Sequence, residues 1–60
     1  MHVLITGGTG LIGTATGVLL REQGHRVTVL TRRQRQNKPQ LVYIKRLSDC
    51  EQRVDAVINL

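Results

Sequence analysis

The stretch Thr6-Gly7-Gly8-Thr9-Gly10-Leu11-Ile12-Gly13 places a glycine at every third position from Gly7, a pattern suited to holding a diphosphate through the backbone. Gly7 permits a tight exit from a strand, Gly10 lets the main chain approach the anion with no side chain between, and Gly13 allows a helix to pack close to a sheet. At the start of such a helix the N–H groups of Thr9, Gly10, Leu11 and Ile12 would have no intrahelical partners, and the positive end of the helix dipole lies there too. Together they form a cradle for negative charge. Context decides the reading, because a glycine-rich turn without a strand before it and a helix after it signals only a bend.

A second cluster capable of chemistry begins at Thr31-Arg32-Arg33, where Arg32, Arg33, Arg35 and Lys38 fall within seven residues. A guanidinium grips a phosphate with paired, charge-assisted hydrogen bonds. At the end of a second strand it would meet the 2′-phosphate of NADP, whereas an NAD-selective or methyltransferase-like site places a carboxylate there for the ribose hydroxyls. The acidic residues are Glu22, Asp49, Glu51 and Asp55, none of them near that point. A Walker-type loop is excluded, since Gly13 is followed by Thr14 and no Lys precedes position 38. The expected cofactor is NADP, with NAD as the alternative. Its expected contacts are Gly7, Thr9, Gly10, Leu11, Ile12, Gly13, Thr31, Arg32 and Arg33. A solvated basic loop is the plain alternative for the arginines.

The other reactive side chains suggest no site. Cys50 is a lone thiol, read as a small hydrophobe. His2 is read as a chain-start residue and His25 as a turn residue, since no partner ligand or nucleophile is spaced to use either. Tyr43 stands in a strand-like run and is read as sheet packing. No catalytic residue and no metal-ligand set is expected. The formal net charge of +5 could serve a nucleic acid, but with no Phe, no Trp and one Tyr the chain lacks the stacking residues of single-strand binders. A phosphorylated small molecule is the better match.

These residues require elements to place them. Val3-Leu4-Ile5 is an apolar run ending in the glycine cluster, as in a strand buried on both faces of a parallel sheet. From Leu11 to Gln23 the apolar residues Leu11, Ile12, Ala15, Val18 and Leu19 recur at helical spacing, with Gly24 placed to end the helix in the left-handed conformation. Gly17 interrupts that helix at a cost of about 1 kcal/mol relative to Ala, which points to close packing on the sheet or simple tolerance. Val27–Leu30, Leu41–Ile44 and Ala56–Leu60 complete a β-α-β-β-β order. Right-handed crossovers then give a doubly wound parallel sheet of order 3-2-1-4, the N-terminal half of a Rossmann-type α/β fold. The connection Thr31–Gln40 is poor in helix formers, and Lys45–Val54 has room for one short helix capped by Ser48. One sheet face is therefore expected to be thinly covered.

With 60 residues the chain is read as one partial dinucleotide-binding domain of a longer protein, its end falling inside the fourth strand. The longest apolar run is Leu41-Val42-Tyr43-Ile44, too short for a secretory leader or a membrane span, so a cytoplasmic protein without a membrane partner is expected. Self-association across the bare sheet face or the strand edges is a further expectation.

Thr6 to Gly13, the turn Gly24-His25-Arg26 into Val27-Thr28-Val29-Leu30-Thr31-Arg32, and the ending Asp55-Ala56-Val57-Ile58-Asn59-Leu60 resemble the N-terminus of extended or atypical short-chain dehydrogenase/reductases. The resemblance is to the NAD-dependent epimerase/dehydratase family, in particular its sugar-nucleotide-epimerase-like subgroup. It implies that Gly7, Gly10 and Gly13 are cofactor glycines, that Arg32 is associated with the adenosine-ribose phosphate, and that Asn59-Leu60 opens a segment beside the cofactor. The family's catalytic Tyr and Lys, four residues apart on a later helix, have no counterpart, since Leu47 stands four residues after Tyr43. Two functions follow as expectations: the cofactor-binding part of an epimerase- or dehydratase-type oxidoreductase acting on a small-molecule substrate, or a non-catalytic NADP-binding module that regulates association.

Overall fold

The computed structural model describes residues 1–7, 11–32, 36–50 and 52–60, with the backbone alone at Leu11. The chain runs β1 (His2–Thr6), α1 (Leu11–Glu22), β2 (Arg26–Leu30), β3 (Leu41–Ile44), a short 3-10 helix (Leu47–Asp49) and β4 (Ala56–Asn59). All pairings are parallel and the order is β3-β2-β1-β4. This is the anticipated α/β architecture, a truncated Rossmann-like sheet. β1 and β2 each extend beyond the apolar run that marks them, because parallel pairing also recruits His2 opposite Arg26 and Thr6 opposite Leu30.

Side chains alternate across the strands, and on one face Val3, Ile5, Val27, Val29 and Leu41 form the buried core. Helix α1 covers this face through its Gly13, Gly17 and Leu20 side, with both glycines buried and Leu20 packed on the core. A Cβ on Gly17 would stand 3.6 Å from a Leu41 methyl and 3.9 Å from Ile5 and Val27 methyls, so the helix rides close to the sheet without needing a bare backbone. Gly24, at φ +88°, ends α1: its N–H donates to the Arg21 carbonyl and the His25 N–H to the Leu20 carbonyl. That pair of bonds satisfies carbonyls the last turn leaves open. Tyr43 is half-buried against the core, consistent with its reading as packing.

The β2–β3 connection contains no helix among its described residues. The Lys38 and Leu41 backbones exchange hydrogen bonds around Pro39-Gln40, with Gln40 at φ 66°, a turn that Pro at the second position favours. The returning chain thus lies along the outer edge of β3 and occupies backbone groups that an edge strand would otherwise expose.

The second face holds Leu4, Thr28 and Ile44, all buried, beneath the segment between β3 and β4. Val42 and Val57 on this face are exposed, so the cover is thin, as expected. Three readings need correction. The short helix is preceded by Arg46 with no side-chain cap; Ser48 lies inside it and caps nothing. β4 closes at Asn59, and Leu60 lies beyond the strand rather than within it. His2 is no loose chain-start residue: it is 7% exposed and bonded at three atoms. The sequence hides this because its partners Thr28, Arg53 and Asp55 are far along the chain.

Candidate functional site

In a sheet of this order, successive strands leave β1 in opposite directions, with β2 on one side and β4 on the other, and a crevice opens beyond their carboxyl ends. The residues at that crevice are fastened together. Thr6 at the tip of β1 donates its hydroxyl to Asn59 Oδ1 at the tip of β4, 2.8 Å away. The Leu60 N–H donates to the Thr6 carbonyl at 2.9 Å. Gly7 follows at φ +70°, and a Cβ there would stand 2.5 Å from the Leu60 carbonyl oxygen. Both the conformation and the space exclude a side chain, so the glycine lets the chain turn from β1 while Leu60, just past β4, presses against it.

Helix α1 starts beyond this turn. Its first turn carries no acidic side chain, so nothing described there offsets the positive end of the helix dipole. Ile12 is exposed and Gly13 buried, while Thr16 turns its hydroxyl back onto the Ile12 carbonyl at 2.8 Å. Of the turn residues named from sequence, Thr9 and Gly10 lie outside the described residues, as does the Leu11 side chain.

At the end of the neighbouring β2, Thr31 is 5% exposed and its N–H donates to the Ile44 carbonyl at 2.8 Å. Arg32 follows, exposed. Since Thr6 pairs with Leu30, Gly7 and Thr31 stand at the same level of the sheet. The structure thus brings Gly7, the start of α1, Thr31 and Arg32 to one edge; Arg33 lies outside the described residues. The described acidic groups are elsewhere. Asp55 accepts from the His2 backbone N–H at the opposite edge, Glu22 sits at the far end of α1, and Asp49 belongs to the cover of the second face.

A cleft of about 320 Å³ opens on that second face, lined by His2, Arg26, Thr28 and Cys50 among others. It is a poor candidate for chemistry. The Arg53 carbonyl, 2.8 Å from His2 Nδ1, can only accept, so Nδ1 carries the proton. In the neutral ring Nε2 then accepts from the Thr28 hydroxyl at 2.7 Å. With both nitrogens engaged, the imidazole has no lone pair or proton to offer a substrate. Among the described residues no group of three or more His, Cys, Asp and Glu side chains gathers to hold a metal ion, and no helix is long and apolar enough to cross a membrane.

The family comparison agrees with this geometry: residues 3–60 match the NAD dependent epimerase/dehydratase family. The chain belongs to that family. Similar curated proteins are the Epimerase family protein SDR39U1 of Bos taurus and of Homo sapiens, each 54% identical over 33 residues, which are 55% of this chain and 11% of the relative. The Mus musculus protein of the same name is 56% identical over 32 residues, 53% of this chain and 11% of the relative. The matched stretch is thus a small part of these relatives. No solved structure matches the chain. Membership of the epimerase/dehydratase family implies a nicotinamide dinucleotide as cofactor, and the crevice suits one: a turn with no room for a Cβ, a helix start without acidic side chains, and an arginine at the end of β2.

Sequence reasoning missed the Thr6–Asn59 bond. A signal was available, since both are polar residues at the carboxyl ends of apolar strands, but the pairing that joins them appears only once β4 is placed beside β1.

Proposed function

We propose that this chain forms the opening part of a dinucleotide-binding domain in a longer epimerase- or dehydratase-type oxidoreductase, and that it prefers NADP to NAD. Gly7, Thr9, Gly10, Leu11, Ile12 and Gly13 would hold the pyrophosphate through the main chain and the start of α1. Thr31, Arg32 and Arg33 would surround the adenosine ribose. A bound nicotinamide supplies hydride exchange with the substrate, for which we propose a nucleotide sugar, while the protein orients the reacting groups and tunes their electrostatics. The observation supporting NADP is Arg32, exposed at the carboxyl end of β2 on an edge without a described carboxylate. An acidic side chain there would repel a 2′-phosphate; a guanidinium pairs with it.

Titrating NADP and NAD against the chain and its Arg32→Ala, Arg33→Ala double variant tests the proposal. NADP should bind more tightly, and the double variant should narrow the gap by about tenfold or more. Equal affinity of the unaltered chain for both cofactors would defeat the NADP assignment, and binding of neither would defeat the dinucleotide reading.

A further inference from the structure

The carboxyl ends of β2 and β3 lie side by side, and both run on into basic residues. Leu30 pairs with Ile44, and beyond that pair the Thr31 N–H donates to the Ile44 carbonyl at 2.8 Å. Neighbouring strands are about 4.8 Å apart, so Lys45 follows β3 beside Thr31, and Arg32 leaves β2 at the same edge. Both Arg32 and Lys45 are exposed. On the outer edge of β3, Asn37 Oδ1 accepts the Tyr43 N–H at 2.9 Å. The strand is thus bonded on both sides just before it delivers Lys45. Arg46, the next residue, leads into the short helix, where its carbonyl accepts the Asp49 N–H at 3.0 Å. No described carboxylate offsets Arg32 and Lys45, since Asp49 lines the cleft of the second face, Asp55 is bonded at the opposite edge and Glu22 sits at the far end of α1.

We infer that Lys45 is a further specificity-determining residue for the 2′-phosphate: from the end of β3 its ammonium group completes a two-cation site with the guanidinium of Arg32 at the end of β2. The inference rests on the NADP reading above and extends it to a second strand. A phosphate monoester presents three acceptor oxygens and carries close to two negative charges at neutral pH. A guanidinium fork engages two of those oxygens, and an ammonium, a compact charge with three donors, suits the third. Two cations at neighbouring strand ends also repel each other, and a dianion between them relieves that repulsion. A free ribose hydroxyl carries no charge and does not. The 5′-phosphate of the same adenosine would be held toward Gly7 and α1, so the loss of Lys45 should fall on the 2′-phosphate.

The test uses the 60-residue chain and two probes for the adenosine half-site, adenosine 2′,5′-bisphosphate and 5′-AMP, with affinities read from amide chemical shifts. The unaltered chain should prefer the bisphosphate. Lys45→Ala should lower that preference by about three- to tenfold, between the effects of an exposed ion pair and of a charge-assisted hydrogen bond, with 5′-AMP binding unchanged. Lys45→Arg, which keeps the charge, should keep most of the preference. Arg53→Ala removes an equal charge at the opposite edge of the sheet, where the Arg53 carbonyl meets His2, and should leave the preference as it was. A preference unmoved by Lys45→Ala, equal weakening of both probes, a loss in Lys45→Arg as large as in Lys45→Ala, or an equal effect of Arg53→Ala would each overturn the role given to Lys45 and leave the NADP reading standing. An unaltered chain with no preference for the bisphosphate overturns the NADP reading, and this inference with it.

Discussion

The two faces of the sheet are built on different terms. Under α1, Val3, Ile5, Val27, Val29 and Leu41 exclude water by volume alone, and any set of side chains filling the same space would serve. On the other face, His2 and Thr28 are buried beside Leu4 and Ile44, and order depends on directed bonds: the Thr28 hydroxyl donates to His2 Nε2, His2 Nδ1 donates to the Arg53 carbonyl, and the His2 backbone N–H donates to the Asp55 carboxylate. Thr6 and Asn59 continue the same logic at the strand tips. A packed face tolerates substitutions that keep volume, whereas a bonded face is sensitive to single atoms because an unpaired buried polar group costs more than its bond contributes. The face with the directed bonds also carries the β1–β4 junction that shapes the crevice.

The sharpest test of that difference is Gly7. Gly7→Ala forces a positive φ on a residue with a Cβ and drives it into the Leu60 carbonyl, so unfolding in urea should show a loss of roughly 3 kcal/mol or more. Gly24→Ala meets the same conformational penalty at φ +88° but finds nothing within 4 Å, and should cost about 1 kcal/mol. Equal losses at the two glycines would mean that contact with Leu60 contributes nothing.

Next comes His2→Ala, which strands the Thr28 hydroxyl and the Arg53 carbonyl and leaves a void; a loss of roughly 2–4 kcal/mol is expected. Adding Thr28→Val should recover part of it, because two apolar groups in place of a broken polar pair leave fewer unsatisfied atoms. Additive losses in that double-mutant cycle would show that the two faces do not differ in the way described. Thr6→Val keeps the shape of the side chain and removes its bond to Asn59, for an expected loss of about 1 kcal/mol. It should also accelerate hydrogen exchange at the Leu60 amide, whose bond to the Thr6 carbonyl lies next to it.

The same division explains what could be read from sequence. The strand order, the helix, its Gly24 ending and the core face follow from apolar periodicity and glycine placement, which are local. The left-handed Gly7 and the basic end of β2 follow from the same local patterns. His2, Thr6 and Asn59 were illegible as a set because each looks solvent-facing among its neighbours, and only pairing across roughly 50 residues gives them partners. The edge-hugging path of residues 36–41 was hidden for a related reason. The sequence shows that a helix is disfavoured there, but the Asn37–Tyr43 bond depends on β3 being the outermost strand.

The smallest effect, and the one with opposite sign, belongs to the packed face. Gly17 stands in the middle of α1 where Ala would be the better helix former, and the methyl it lacks would lie at ordinary contact distance, 3.6–3.9 Å, from Leu41, Ile5 and Val27. Gly17→Ala should therefore stabilise the chain by up to about 1 kcal/mol, through reduced freedom of the unfolded backbone and a little added burial. The melting temperature measures it, and a small domain should gain several degrees, of order 4–8 °C per kcal/mol. A loss instead would show that a methyl at ordinary contact distance from β1, β2 and β3 is not accommodated under α1. The packed face would then be as intolerant of single atoms as the bonded one, and the contrast between them would rest on chemistry alone rather than on tolerance.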